Sequence, residues 1–291
     1  MANLKELRNR ITSVSSTMQI TSAMKMVSAA KLSKAQDAIT QMRPYAEKLT
    51  ELLQNLSASL DGEAQSPYTQ VRPVTKILVV PISSNRGLAG AFNTNIVKRT
   101  KALVSDFDDL ATIDLLTIGK KADDVLRKQF NVIENNNEIF NHLDYDHVKE
   151  IAEGLMAAYT EGKYDKIMLV YNSFKNAGTQ IVKAEQFLPL ETIAEVGETK
   201  VSPNATEYIY EPNKEDIIKE LIPKSLKIQL FKALRDSVAS EHGARMTAMH
   251  KATDNATELR DDLKLSYNKA RQASITNEIL EIVAGAEALS A

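Results

Sequence analysis

The residues that invite a chemical reading are a glycine turn, a carboxylate pair and a few histidines. Between Ser83 and Asn93 the chain reads SSNRGLAGAFN, directly after an apolar run. In dinucleotide and P-loop proteins a turn of this kind cradles phosphate on backbone N–H groups at the start of a helix. Here Gly87 and Gly90 supply only G-x-x-G, short of both G-x-G-x-x-G and G-x-x-x-x-G-K-[ST]. A structural tight turn is the expectation. Gly119-Lys120-Lys121 reads as a strand end followed by solvated lysines. His142, His147, His242 and His250 form no H-E-x-x-H pair, so no metal site is expected. Glu278 and Glu281 stand one helical turn apart, as a catalytic pair could, but an exposed helix offers nothing to separate their pKa values. They read as interaction residues. The sequence therefore predicts no catalytic residue and no cofactor.

Composition narrows the class further. With no cysteine among 291 residues, a disulfide framework, a thiolate zinc site and a thiol switch are excluded. No apolar run approaches the ~20 residues of a membrane span, and MANLKELRNRITSVSS lacks the apolar core of a secretory signal, so a cytosolic protein is expected. The net charge of −2 exerts no overall pull on nucleic acid. The first stretch is locally basic, with Lys5, Arg8, Arg10, Lys25, Lys31, Lys34 and Arg43 against Glu6 and Asp37, yet it has no aromatic residues for base stacking. A solvated helix face and an acidic protein partner both accommodate it, and no nucleic acid is expected.

Two long helices must carry whatever this chain does. It is free of proline before Pro44 and again from Lys224 onward, and glycine is scarce at both ends. Leu4, Leu7, Ile11, Val14 and Met18 are spaced 3, 4, 3, 4, the seam of a coiled coil. Met249, Ala252, Ala256, Leu259, Leu263, Tyr267 and Ala270 answer them near the other terminus. A carboxyl-terminal helix of about 60 residues reaches roughly 90 Å, too long to lie within one small domain. It must project, and the amino-terminal helix is the obvious antiparallel cover for its seam. Gly243 and Gly285 are its expected soft points, each costing about 1 kcal/mol relative to alanine.

The middle has another period. Lys76 to Ile82, Ile113 to Ile118 and Lys166 to Tyr171 read as buried strands, with Gln180 to Phe187 and Glu207 to Tyr210 as edge strands. Phe92 to Phe107, Lys120 to Phe130 and Tyr145 to Glu161 read as the helices between, giving βαβ units and a largely parallel sheet. Two terminal stretches, ITSAMKMVSAA from Ile20 to Ala30 and ILEIVAGAEAL from Ile279 to Leu289, are apolar on nearly every side. A helix apolar all round must be buried, and the chain has nothing left to sheathe both.

ITSAMKMVSAAK, SSNRGLAGAFN, ARMTAMHKATDNA and YNKARQASITNEILEIVAGAEA together resemble the gamma subunit of bacterial F-type proton-translocating ATP synthase, from end to end. The resemblance implies an α/β fold: a long antiparallel coiled coil of N- and C-terminal helices plus a central Rossmann-like α/β domain. The expected division is a coiled-coil helix over 1–60, the α/β domain over 74–212 and a second coiled-coil helix over 213–291. It implies a non-catalytic rotor shaft that couples membrane proton flow to ATP synthesis or hydrolysis at the β-subunit sites of an α/β hexamer. Met24, Arg245, Thr276 and Glu278 match the family's coupling region, and Arg271 and Gln272 match its contacts with a β-subunit catch loop. Tyr208 and Glu211 match the foot on the c-subunit ring, beside the epsilon subunit. Membrane contact would be indirect, through that ring, on the cytoplasmic face of a bacterial membrane. Asn85 and Ala89 depart from the family's usual S-D-R-G-L-C-G turn. The rival readings are a nucleotide enzyme, which would bind ATP by itself, and a generic coiled-coil adaptor, which would stimulate no ATPase.

Overall fold

The structure, a computed structural model, describes residues 4–58, 66–107, 110–190 and 214–290. The chain resolves into two compact units: a terminal unit of residues 1–29 with 245–291, and a central unit of residues 30–244.

Helix α1 runs from Leu4 to Ala58 and helix α5 from Lys214 to Ser290. In order between them come β1 (Lys76–Pro81), α2 (Phe92–Phe107), β2 (Thr112–Thr117), α3 (Lys120–Leu126), β3 (Val132–Asn135), α4 (Tyr145–Thr160), β4 (Lys166–Asn176) and β5 (Thr179–Leu188). The prolines used to bound the long helices do not end them. Pro44 lies inside α1 and Pro223 inside α5. Each removes one backbone donor, but apolar anchors on both sides of it, Ile39 with Ala46 and Ile222 with Leu226, stay buried and hold the helix on course.

The central unit is built on a five-stranded sheet of order β3-β2-β1-β4-β5, parallel except for the antiparallel edge strand β5. Parallel strands joined by helical crossovers bury both faces, so β1 is apolar on each. Ile77 and Val79 join Ile96, Leu103 and Val104 of α2 and Leu126 of α3 on one face. Leu78 and Val80 join Leu155 and Tyr159 of α4 and Leu226, Leu230 and Leu234 of α5 on the other. Asp144 starts α4 by accepting the His147 backbone N–H at 3.0 Å.

Some elements depart from the sequence reading. The short strand β3 was not foreseen, because four residues at an edge are too few to show a period. Helix α3 stops at Leu126 rather than Phe130, and β4 continues to Asn176. The expected strand Glu207 to Tyr210 lies outside the described residues.

Candidate functional site

At the carboxyl ends of β1 and β2, where a doubly wound sheet commonly binds ligands, the Ser84 N–H and the N–H groups opening α3 are already committed. The Ser84 N–H donates to Asn93 Oδ1 at 3.0 Å. At the start of α3, Lys120 N donates to Asn85 Oδ1, Lys121 N to the Ser84 carbonyl and Ala122 N to Ser83 Oγ, all at 2.9–3.1 Å. Asn85 also donates from Nδ2 to the Asn137 carbonyl at 2.8 Å, tying three loops together. Gly119 has φ +99°, and a Cβ there would fall 2.2 Å from the Ser83 carbonyl oxygen. The donors that would cradle a phosphate hold the loops to one another instead. Among the described residues, no group of three or more His, Asp or Glu side chains is placed to hold a metal ion.

The terminal unit presents a different surface. Arg8 donates from NH2 to Tyr267 Oη at 2.9 Å and its guanidinium carbon lies 5.8 Å from the ring centre. Arg260 NH1 reaches Met18 Sδ at 3.5 Å, and the hydroxyls of Thr21 and Thr253 meet at 2.8 Å. As the α1 number rises, the α5 number falls, so the helices pair antiparallel. The inward α1 positions are Leu4, Leu7, Ile11, Val14, Met18, Thr21, Lys25 and Ser28, and the 3-4 spacing continues in the central unit through Leu32, Ala35, Ile39, Met42, Ala46 and Leu49.

On α5 the observed seam is Met249, Thr253, Ala256, Arg260, Leu263, Tyr267, Ala270 and Ser274. This corrects the apolar reading at two positions, Thr253 in place of Ala252 and Arg260 in place of Leu259. Leu259 is half exposed, and Arg260 takes the seam position, its aliphatic stem covering apolar surface while its head meets the Met18 sulfur. A strict 4-3 repeat from Met249 would have found Thr253 and Arg260; choosing by hydrophobicity missed them.

The pair is inside-out where its sequence is most apolar. Thr21 and Ser28 are buried at the seam, while Ile20, Met26 and Val27 are 60%, 64% and 56% exposed. Ser28 satisfies its hydroxyl on the Met24 carbonyl at 2.7 Å. Farther along α5, Ile275, Ile279, Leu280, Ile282 and Val283 are exposed as well. Leu4, the start of helical α1, stands opposite about Arg271, as judged from the Arg8–Tyr267 contact and four residues per turn. Beyond that level no other helix covers α5 among the described residues. A run of exposed large side chains on this scale marks an interaction surface.

The expected coupling residues fall in two groups. From the Thr21–Thr253 contact, Met24 and Arg245 lie within about 8 Å of one another along the helix axis, Met24 half-buried and Arg245 buried. Arg271, Gln272, Thr276 and Glu278 lie about 40–50 Å from Arg245 along α5, and all are exposed. Thr276 Oγ1 donates to the Gln272 carbonyl at 3.0 Å. The two fully apolar stretches are likewise apart, since Ile20 to Ala30 faces the level of Thr253 and not Ile279 to Leu289. Tyr208 and Glu211 lie outside the described residues.

Comparison with known proteins agrees across the whole length. A family model described as ATP synthase matches residues 3–289. The ATP synthase gamma chains of Christiangramia forsetii and Flavobacterium johnsoniae are 67% and 66% identical over 290 residues, with 100% of this chain and of each relative covered. Among solved structures, a chain of the Euglena gracilis mitochondrial ATP synthase (OSCP/F1/c-ring, rotational state 3) superposes with a TM-score of 0.72 at 22% identity, covering 98% of this chain and 94% of that one. That likeness establishes the fold of paired terminal helices around a central sheet. On the family match and the full-length identity to these gamma chains, the chain belongs to the ATP synthase gamma family.

Proposed function

We infer that this chain is the central rotor shaft of an F-type ATP synthase, a non-catalytic subunit that carries torque between membrane proton flow and ATP synthesis or hydrolysis. The observation that carries the reading is the inside-out terminal unit. Exposed Ile20, Met26 and Val27 beside buried Thr21 and Ser28 suit a shaft enclosed by a larger apolar sleeve. Such a surface binds without locking where exposed Ala23 and Ala30 leave shallow ridges between the larger side chains and Met26 adapts its shape. The partners assigned are an α/β hexamer around the terminal unit, with catalysis at the β subunits, and the epsilon subunit and c-subunit ring at the other end. Met24 and Arg245 form one coupling group, Arg271, Gln272, Thr276 and Glu278 a second, and Tyr208 with Glu211 the foot on the c ring. In this division 1–60 and 213–291 act as the shaft and 74–212 as the domain it carries. No helix among the described residues is long and apolar enough to cross a membrane. Membrane attachment then runs through the c ring, on the cytoplasmic face of a bacterial membrane.

The deciding experiment mixes the purified chain with the α and β subunits of the same organism and measures ATPase activity in the assembled species and in each component. Turnover confined to a complex holding one copy of this chain supports the rotor. A chain that neither joins the complex nor changes its turnover defeats it.

A further inference from the structure

The central portion of α5 sits on the sheet through a stripe of buried and half-buried polar contacts rather than through apolar packing alone. Gln229 Nε2 donates to Glu185 Oε1 at 2.7 Å and to the Gln186 carbonyl at 3.2 Å on β5. The other Glu185 oxygen accepts Tyr171 Oη of β4 at 2.6 Å, and burial pushes the Tyr171 phenol up, so it stays a donor. Two turns farther along, Ser173 Oγ of β4 donates to Asp236 Oδ2 at 3.1 Å. One turn beyond, Ser240 Oγ donates to the Asn172 carbonyl at 3.0 Å, and Asn172 Nδ2 in turn donates to the Phe92 carbonyl that opens α2. Gly243 completes the stripe, since a Cβ there would stand 3.1 Å from Ala177 Cα in the β4–β5 turn. Positions 229, 236, 240 and 243 are separated by 7, 4 and 3, which places all four on one face of the helix.

We propose that Gln229, Asp236 and Ser240 are positioning residues that key α5 to the sheet against rotation about its own axis. This rests on the rotor reading above. Leu230 and Leu234 pack on the sheet beside the first two rungs, while toward Gly243 the stripe narrows to small side chains, with Ser237, Ser240 and Ala244 buried and few steric ridges to resist turning. Apolar contact is non-directional and tolerates a small turn, whereas a hydrogen bond weakens steeply with angle. Asn172, Ser237 and Ser240 are at most 2% exposed and Asp236 is 4% exposed, so the Asp236 and Ser240 rungs, turned out of line, leave buried groups short of a partner, while the Gln229 rung is half-buried. Because α5 is one helix from Lys214 to Ser290, torque taken up by the central sheet reaches its terminal part to the extent that this seat does not yield.

The test measures torsional stiffness in the assembled rotary complex. The chain has no cysteine, so Ser105→Cys on exposed α2 gives a unique site for a bead, whose angular fluctuations are recorded in a stalled dwell. Ser173→Ala with Ser240→Ala removes two of the three parallel rungs, and the angular variance is expected to rise about three-fold if the rungs share the load. Gln229→Met, which removes the remaining rung, serves if that double variant fails to assemble, and raises the variance by a smaller factor. Leu103→Ala, in the core on the opposite face of the sheet, lowers stability without touching the seat and leaves the variance unchanged. Unchanged variance in the rung variants, or an equal rise in Leu103→Ala, overturns the proposal. A parent complex that assembles without rotating counts against the rotor reading itself.

Discussion

Gly243 and Gly285 are a glycine pair on one helix whose identical propensity cost conceals opposite surroundings. Gly285 has nothing within 4 Å of its absent Cβ, so Gly285→Ala should stabilise α5 by about 1 kcal/mol, seen as a higher Tm. Gly243 is buried against the Ala177 backbone, and Gly243→Ala should lower Tm despite better helix propensity. It is a contact point rather than the soft point its type suggested. At the head of α4, His147 Nδ1 lies 2.6 Å from Asp144 Oδ1. The hydrogen bond to Asp144 raises the His147 pKa above its ordinary 6.5, with the Asp144, Glu150 and Asp146 charges assisting. The hydrogen bonds from His147, backbone first, hold Asp144 below its ordinary 3.8. The His147 contribution is thus full below pH 6.5 and fades as pH rises through its raised value; the Asp144 contribution is present above 3.8 and fades in stronger acid. His147→Ala should therefore lower the urea midpoint at about pH 5 more than at about pH 8. Both groups are exposed, so salt should shrink the difference.

At the scale of elements, the terminal helices pair through a seam that gives up apolar burial at Thr21, Thr253 and Arg260. Replacing Thr21 and Thr253 together with valine exchanges the contact between the two hydroxyls, and their bonds to the Met18 and Met249 carbonyls, for two methyl groups at the seam, and leaves no orphaned partner across it. The pair should gain about 1 kcal/mol, read as slower amide exchange in α1 near Thr21. Thr21→Val by itself leaves the Thr253 hydroxyl its Met249 carbonyl at 2.8 Å but no partner across the seam, and should gain less; equal gains would mean the two hydroxyls do not interact. The elements were largely legible in advance, because a 3-4 spacing sustained over about four turns or more and apolar runs beside helical stretches are local signals. The strand β3, the end of α3 and the passage of both long helices through a proline were not. In each case neighbours distant in sequence override a local preference.

For the whole molecule, the proposal makes α5 act at its exposed end on partners that this chain does not contain. Arg271→Ala with Gln272→Ala alters two exposed side chains, so the fold and the assembled complex should persist while the ATPase rate of the complex falls several-fold, a loss on the order of 1 kcal/mol at the barrier. Unchanged turnover in the purified complex would remove them from the coupling surface. Of the coupling residues, the sequence could name candidates but not their grouping. Met24 comes near the level of Arg245, far from Thr276 and Glu278, only because the antiparallel register sets Thr21 against Thr253.

By itself the sequence determined that this chain has two long helices around a parallel sheet, an apolar seam, no cysteine chemistry and an incomplete phosphate motif. Those properties are carried by spacing, residue type and composition, which act over a few turns of chain. Tertiary structure decided which residues of the most apolar stretch turn inward, that Arg260 and not Leu259 holds the seam, that Ser83, Ser84 and Asn85 accept the N–H groups opening α3, and that Gly243 is a point of contact. Each depends on what comes to lie opposite from a distant part of the chain, and a buried polar atom must find its partner there.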